Sequence, residues 1–436
     1  MNKTRVGLYL LNKRYVGVDQ SSPESGNPGI GGSEYNFITL PYYFSKYYSH
    51  VEFYFYAHIT DLLPKKFHAE KVEDLTDAAL KAKKDNCDLF IFRPTQDNEG
   101  IEFLENLKKI QIKTIAWAHN TPFKLLRKLA FNQYILRYVN VGKEQYDMLR
   151  DHPIIYKSAM IYIGFDPKNY IPSEPVNKTK SVVYIGSLIP VKGFHALAKV
   201  WKEVLAKVPD AKLEVIGTGK LYDRNSKLGE WGIADESYES IFRPYLSDEK
   251  GNKLDSVIFH GLLGKEKIPI MQKAMVGCPN PTGKSENCPA SALELQACGT
   301  PVVSGAFWGL LDTVANQKTG LLGKTDDEFV ENIVFLLKDE GRARTFGQNG
   351  IEFVNEKFDY KRISTHWKQL FDEILEGKKA KILPINQNPY YEFKQFSEKM
   401  RKLKERYIFF RWIPSYIEIR PYHRRVKELL KRIAKL

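Results

Sequence analysis

An α/β fold of two domains with parallel sheets is predicted for this chain. Short apolar runs alternate with helical patterns along most of it, as repeated strand–helix–strand units require. A polar, Pro-containing stretch at 171–179 separates two such series, in the manner of a linker. The length of 436 residues exceeds what one ordinary core accommodates and suffices for two. The expected division is a first domain at 1–170, a second at 171–356 and a tail at 377–436.

The first series opens with an apolar strand at 6–11, followed by the loop PESGNPGIGGS at 23–33 and a helix from Glu34. Strand, Gly-rich loop and helix together can bring backbone N–H groups, here around Gly31 and Gly32, to a phosphate. Neither G-x-G-x-x-G nor a Walker pattern is present, so nothing specifies a dinucleotide or ATP. A plain surface loop is the alternative. Further strands are expected at 51–56, 88–92, 114–117 and 138–141. The third of these runs into Ala118-His119-Asn120-Thr121-Pro122, a polar loop at a strand end, where open α/β sheets place ligand contacts. His119 is a ligand-contact candidate there, or a packed loop histidine. The run 159–163 closes the series at Gly164-Phe165-Asp166.

The second series begins with a strand at 182–185 and the loop Gly186-Ser187-Leu188. Lys192 and Gly193 precede a helix with Phe194, Leu197, Val200, Trp201, Val204 and Leu205 at helical spacing. A lysine so placed can reach a diphosphate as a compact charge. Strands at 213–216 and 257–259 end in Gly217-Thr218-Gly219 and His260-Gly261-Leu262-Leu263, and 271–276 reads as helix. Next comes GKSENCPASALELQACGTPVVSG at 283–305. Pro289 suits the first turn of a helix, Gly299 can end it, and Val302 and Val303 begin a strand. The N–H groups of Ala290 and Ser291 then lie at the positive end of that helix, a place for a phosphate. Glu286 before the helix and Glu294 on it could hold sugar hydroxyls. By spacing alone, a solvated loop acid and a surface helix residue fit as well.

The wider pattern, Ser-Glu-x-x-Pro-x-x-x-x-Glu-x-x-Ala-x-Gly-x-Pro-Val-Val, resembles the Glu-x7-Glu signature of the retaining GT-B glycosyltransferases of glycosyltransferase family 4. The resemblance covers about residues 5–375. It implies two Rossmann-like domains facing a cleft, with a helix at 357–376 returning to complete the first. It implies retaining transfer of a sugar from a nucleotide sugar, a UDP-sugar in the first instance, to a glycan or lipid-linked acceptor. Synthesis of bacterial-type surface polysaccharide or lipopolysaccharide is the implied setting. Glu286, His119 and Lys192 match the family's catalytic positions: Glu286 faces the sugar, His119 lies beside it and Lys192 meets the diphosphate. Glu294 matches the ribose ligand. Gly31, Gly32, Ser33 and Glu34 match a loop bordering donor phosphates and acceptor. Gly217, Gly261, Leu262, Pro289, Ala290 and Ser291 complete the donor side. Ser187 stands where many members carry an arginine, so another cation, or Ser187 itself, must compensate. No cofactor is implied. The chain has no Asp-x-Asp triplet, so no metal site is expected. Two other classes remain open, a GT-B sugar-nucleotide epimerase and a non-catalytic membrane-associated scaffold. An assay without acceptor separates the first, donor binding the second.

The charge is unevenly spread. Residues 377–436 hold 17 Lys and Arg against 5 Asp and Glu, leaving the preceding 376 residues only +2 of the chain's +14. In this tail Met400, Leu403, Tyr407 and Phe410 recur at helical spacing among cations, as do Val426, Leu429, Leu430, Ile433 and Leu436. Such stretches favour an anionic membrane surface as the partner of the tail, with a helical extension packed on the body as the alternative. No nucleic-acid module accompanies the charge. Cys87, Cys278, Cys288 and Cys298 form no C-x-x-C pair, and reduced thiols are expected. The first residues lack the apolar run of a secretory signal. The expected location is cytoplasmic, peripheral at the inner face of the cell membrane.

Overall fold

The computed structural model describes residues 3–221 and 227–420. The chain forms two compact units. One comprises Met1–Gly26, Ser33–Tyr162 and Ile363–Leu436, the other Asn27–Gly32 and Ile163–Arg362.

The first unit is built on β1 (Thr4–Leu10), β2 (Val51–Ala57), β3 (His68–Lys71), β4 (Leu89–Phe92), β5 (Thr114–Ala118), β6 (Ile135–Asn140) and β7 (Ser158–Met160). They pair in the order β3-β2-β1-β4-β5-β6-β7, all parallel. Helices cover a parallel sheet on both faces, which is why β4 reads LFIF with every residue buried. The second unit is built on β8 (Thr179–Ile185), β9 (Lys212–Ile216), β10 (Val257–Gly261), β11 (Ala274–Gly277), β12 (Val302–Gly305) and β13 (Gly320–Gly323), in the order β10-β9-β8-β11-β12-β13. Trp201, Val204 and Leu197 of the helix Phe194–Lys207 anchor its core.

Each sheet reverses its strand order once, between β1 and β4 and between β8 and β11. At such a point the loops leaving neighbouring strands run to opposite faces and leave a crevice. In the second unit those loops carry Lys192 and Glu286.

Three elements differ from the sequence reading. Residues 271–276 are the end of a helix, Lys267–Lys273, followed by the strand β11. A strand buried on both faces has no alternation to separate it from buried helix. β3 reads HAEK, an edge strand with no apolar pattern. The first unit ends at Tyr162 rather than 170, and the helix Tyr360–Leu375 passes into it at Ile363. Within that unit Trp367 meets Trp117 with ring centroids 5.0 Å apart, and Phe371 meets Phe44 at 5.9 Å.

The tail differs most. Its helix, Tyr391–Arg406, buries Lys394, Ser397 and Arg401 and ends before Tyr407, so the stripe from Met400 to Phe410 is not one helical face. The body supplies the reason, in the form of buried acids. Lys394 pairs with Glu144 and lies 3.1 Å from Asp147, and Lys404 lies 3.6 Å from Asp151. Arg150, itself buried, bonds Asp147 at 2.7 Å and reaches Glu398 of the helix at 3.3 Å. The second amphipathic stretch, Val426, Leu429, Leu430, Ile433 and Leu436, lies outside the described residues. Among the described residues no helix is long and apolar enough to cross a membrane.

Candidate active site

The loops after β8 and β11 meet around Asn280. Its amide nitrogen reaches the carbonyl oxygens of Val191 at 3.2 Å and Lys284 at 2.8 Å, and Glu286 Oε1 at 3.0 Å. Its oxygen accepts from the Thr282 hydroxyl at 2.8 Å. One buried amide thus ties the Lys192 loop to the Glu286 loop. Gly193, at φ +70°, makes the approach possible: a Cβ there would sit 2.8 Å from Thr282 and 2.9 Å from the Asn280 oxygen. Lys192 Nζ then donates to Glu286 Oε1 at 2.7 Å, both side chains largely covered.

Three non-glycine residues here, Asn280, Ser285 and Trp308, have positive φ. Each such conformation costs of order 1–3 kcal/mol unless local bonds compensate, and such residues cluster at ligand clamps. The compensation is visible for Asn280 in the bonds above. Behind Glu286, its own carbonyl accepts from Gly309 N at 2.8 Å.

The helix Ala290–Ala297 follows, with Pro289 as its N-cap rather than inside its first turn. Ala290 and Ser291 supply first-turn N–H groups, which have no partners within a helix. Glu294 points to a different partner from Glu286. Both its oxygens lie 2.9 Å from Lys267 Nζ, and Tyr170 Oη donates to it at 3.1 Å. A carboxylate in the loop before the helix and another on the helix each meet a lysine.

Gly217 lies directly against the Ser187 loop. At φ +144° it comes so close that a Cβ would fall 1.9 Å from the Gly186 oxygen. Gly217 N donates to Gly261 O at 2.8 Å, which joins a third loop to the first two. Ser187 is buried, and its hydroxyl donates to Thr218 O at 3.2 Å. That hydroxyl holds two loops together. Leu262 stands 62% exposed beside Gly261.

Ser33, Glu34 and His119 lie in the first unit, whereas Gly31 and Gly32 fall in the short segment Asn27–Gly32 of the second. Gly32 starts the helix Gly32–Phe44, and Asn27 shapes the loop before it by accepting from Gly29 N and Ile30 N at 3.0 and 2.9 Å. Glu34 is buried between Arg14 at 3.0 Å and Arg93 at 3.1 Å. Beside it, Tyr9, Ser33, Arg93 and Glu99 help line a cavity of about 20 Å³, room for one water. His119 leaves the end of β5 packed between Trp117, 4.5 Å away, and Phe37, 5.8 Å away. Burial first, and the Arg93 guanidinium second, push its pKa down to about 3. It is therefore a neutral imidazole at ordinary pH.

That shift has a sign. Above the ordinary value of 6.5 both folded and unfolded imidazoles are neutral, and the native state is not penalised. As pH falls below 6.5 the unfolded chain takes up a proton that the folded site refuses until about 3, so stability declines. His152, pushed down to about 4 chiefly by burial, acts in the same direction. Urea midpoints of the first unit are expected to fall between pH 7 and pH 5, with a shallower fall in His119→Gln. An unchanged slope in that variant overturns the assignment.

Asn280 and Lys267 escape sequence reasoning. Asn280 stands between Pro279 and Pro281, a turn signal without chemical content, and Lys267 is one lysine among many.

The two parallel-sheet, Rossmann-like units and the helical C-terminal region form the fold of the GT-B glycosyltransferases. Sucrose-phosphate synthase from Thermosynechococcus elongatus superposes with a TM-score of 0.64 at 18% identity, covering 86% of this chain and 100% of that one. The Anabaena protein HepE, solved with UDP-glucose, superposes at 0.59 and 16% identity, covering 85% and 99%. Likeness at these identities is one of fold. Residues 167–353, within the second unit, match the family model described as Glycosyl transferases group 1. The GDP-mannose-dependent monoacylated alpha-(1-6)-phosphatidylinositol monomannoside mannosyltransferase of Corynebacterium glutamicum is 27% identical over 263 residues, 54% of this chain and 61% of that protein. A capsular polysaccharide biosynthesis glycosyltransferase of Staphylococcus aureus is 25% identical over 209 residues, 47% and 49%. The chain thus spans about half to three-fifths of these relatives.

Proposed function

We propose that the protein is a retaining glycosyltransferase of family 4 that moves a sugar from a nucleotide sugar to a glycan or lipid-linked acceptor. The Lys192–Glu286 ion pair, held by Asn280 before the helix Ala290–Ala297, is the observation that carries this reading. An entering diphosphate exchanges partners with that pair. Lys192 turns from Glu286 to the phosphate oxygens, where the N–H groups of Ala290 and Ser291 also lie, and Glu286 is released toward the sugar hydroxyls. Glu294 and Lys267 stand on the ribose side, and Leu262 and Gly261 toward the base. The anomeric C–O(phosphate) bond breaks as the acceptor oxygen bonds the same face of that carbon. The acceptor's proton passes to the departing phosphate, and a nucleoside diphosphate leaves. Lys192 and the helix N-terminus stabilise the charge that develops there. No residue of this set is a metal ligand in the scheme. The reaction sits at the cytoplasmic face of a membrane, in surface-polysaccharide or lipopolysaccharide synthesis.

A UDP-sugar is the favoured donor, since the fold neighbour HepE was solved with UDP-glucose. The Corynebacterium relative's name specifies GDP-mannose, so both nucleotides belong in the test. Release of nucleoside diphosphate is measured across UDP- and GDP-sugars, with and without lipid-linked acceptor, and the product anomer by NMR. Retention with one donor supports the proposal. Interconversion of donors without acceptor identifies an epimerase, and no donor binding identifies a scaffold.

Charge-assisted hydrogen bonds are worth about 1.5–3 kcal/mol, so Lys192→Ala is expected to weaken nucleoside diphosphate binding about 10- to 100-fold. With no arginine at 187, no second cation from that position shares the load. Equal affinities by calorimetry remove Lys192 from the diphosphate site.

A further inference from the structure

The tail helix hides cations and the segment after it exposes hydrophobes, the reverse of an ordinary packed extension. Lys394 and Arg401 are buried against the first unit or within the helix's own ion pairs. At Tyr407 the backbone becomes extended, and the short turn Ile408–Trp412 buries none of its residues. Ile408 is 72% exposed, Phe409 77% and Trp412 84%. Single exposed apolar residues are common, but three large ones within five positions make a patch that needs a partner.

The turn is mounted firmly. Arg411 Nε donates to Lys404 O at 3.1 Å, and Phe410 packs with Tyr407 and Phe409 at 6.1 and 5.9 Å. Cations surround it. Arg406 lies 5.3 Å from the Tyr407 ring, and Lys402, Arg406 and Arg411 are all exposed. At its foot a cavity of about 520 Å³ is lined in part by Arg127, Lys157, Lys404 and Arg411, with Phe131, 72% exposed, at its edge. The acids lining it are already paired: Glu418 with Arg127, Glu405 with Arg401 and Asp151 with Lys404. The sequence from 421 onward, outside the described residues, adds six further Lys and Arg.

We propose that Ile408, Phe409 and Trp412 form a wedge that enters the interfacial layer of an anionic membrane, with Lys402, Arg406 and Arg411 at the headgroup phosphates. Aromatic rings flanked by cations favour that layer, since the rings leave water while the charges stay at the surface. Each cation near an anionic leaflet adds about fivefold in affinity at low salt. Charge complementarity selects lipid over a second copy of this chain, whose matching surface would be equally basic. The helix Tyr391–Arg406 is then the mount and not the membrane contact. This deepens the membrane part of the proposed function and rests on it only for what the enzyme does at the surface.

The full chain is floated with vesicles of phosphatidylcholine alone and of phosphatidylcholine with phosphatidylglycerol, at low and high salt. Binding is expected only with phosphatidylglycerol, weakened by salt. The triple variant I408S/F409S/W412S is expected to lose at least about tenfold in vesicle affinity. Should that variant fold poorly by circular dichroism, Trp412→Ser alone, at an 84% exposed position, carries the same test with a smaller loss. Lipids brominated in the acyl chain are expected to quench wild-type fluorescence and to quench the Trp412→Phe form less. The proposal is overturned by wild-type protein that ignores anionic vesicles at low salt. It is also overturned by serine variants that bind as wild type, or by a wild-type dimer in light scattering that the triple variant abolishes without change in lipid binding. Nucleotide release by the same variants reads catalysis separately: vesicle binding without any sugar transfer sinks the proposed function and leaves the wedge standing.

Discussion

Glu286→Gln is expected to lower turnover by about 10²–10³, the scale of losing one preorganised transition-state contact. The substitution keeps the shape and an oxygen able to accept from Asn280 at the present 3.0 Å. What it removes is the charge that faces Lys192 across 2.7 Å. The fold is expected to survive, because the loop is fixed mainly by main-chain and Asn280 bonds: Gly309 N to Glu286 O at 2.8 Å and Asn280 to Lys284 O at 2.8 Å. Binding of nucleoside diphosphate should change by no more than about threefold, or tighten, since Lys192 no longer has a competing anion. Turnover on an established donor–acceptor pair and calorimetry with the diphosphate check both expectations. Wild-type turnover in the glutamine variant would mean that Glu286 does not meet the reacting sugar. An equal loss in affinity and turnover would make it a donor-binding residue only.

The sequence made the second unit more legible than the first because its elements carry composition as well as order. Pro289, Gly299 and Pro301 bracket one short helix, and Gly193 and Gly217 mark places where loops touch. Lys192 was recognisable from its place before a helix, and the structure brings it within 2.7 Å of Glu286. What organises the pair was not legible. Asn280 joins the nearby Lys284 and Glu286 to Val191, which is distant in sequence, and no local pattern encodes that long-range bond. Ser187 shows the opposite limit: a polar residue in a loop after a strand directs its hydroxyl to Thr218 O. The tail misled because periodicity records which side chains recur and not which face is inward. Met400 and Leu403 do recur, but the body offers Glu144, Asp147 and Asp151, and against buried acids the cationic face turns in. The same inversion left Phe409 and Trp412 in solvent.

Lys394→Met is expected to loosen the tail helix from the rest of the first unit. Lys394 is 1% exposed, and Asp147 and Glu144 are 1% and 5% exposed. Replacing a whole buried ion pair by apolar residues is often neutral. Removing one partner strands the other in a medium that solvates it poorly and costs about 3–5 kcal/mol. Met fills most of the lysine's volume, so the loss reports charge and not a cavity. Arg150 remains as a second tie, donating to Leu383 O at 2.8 Å and Pro384 O at 3.0 Å, and the effect should therefore be local. Amide exchange in the helix Tyr391–Arg406 is expected to accelerate by about 10²–10³, while exchange in β8–β13 stays unchanged. Restoring charge balance with Lys394→Met and Glu144→Gln together should recover part of the loss, which a merely steric role for Lys394 would not allow. Exchange within threefold of wild type in the single variant would mean that the helix is held by Arg150 and its apolar contacts, and that the buried ion cluster contributes specificity of placement without stability.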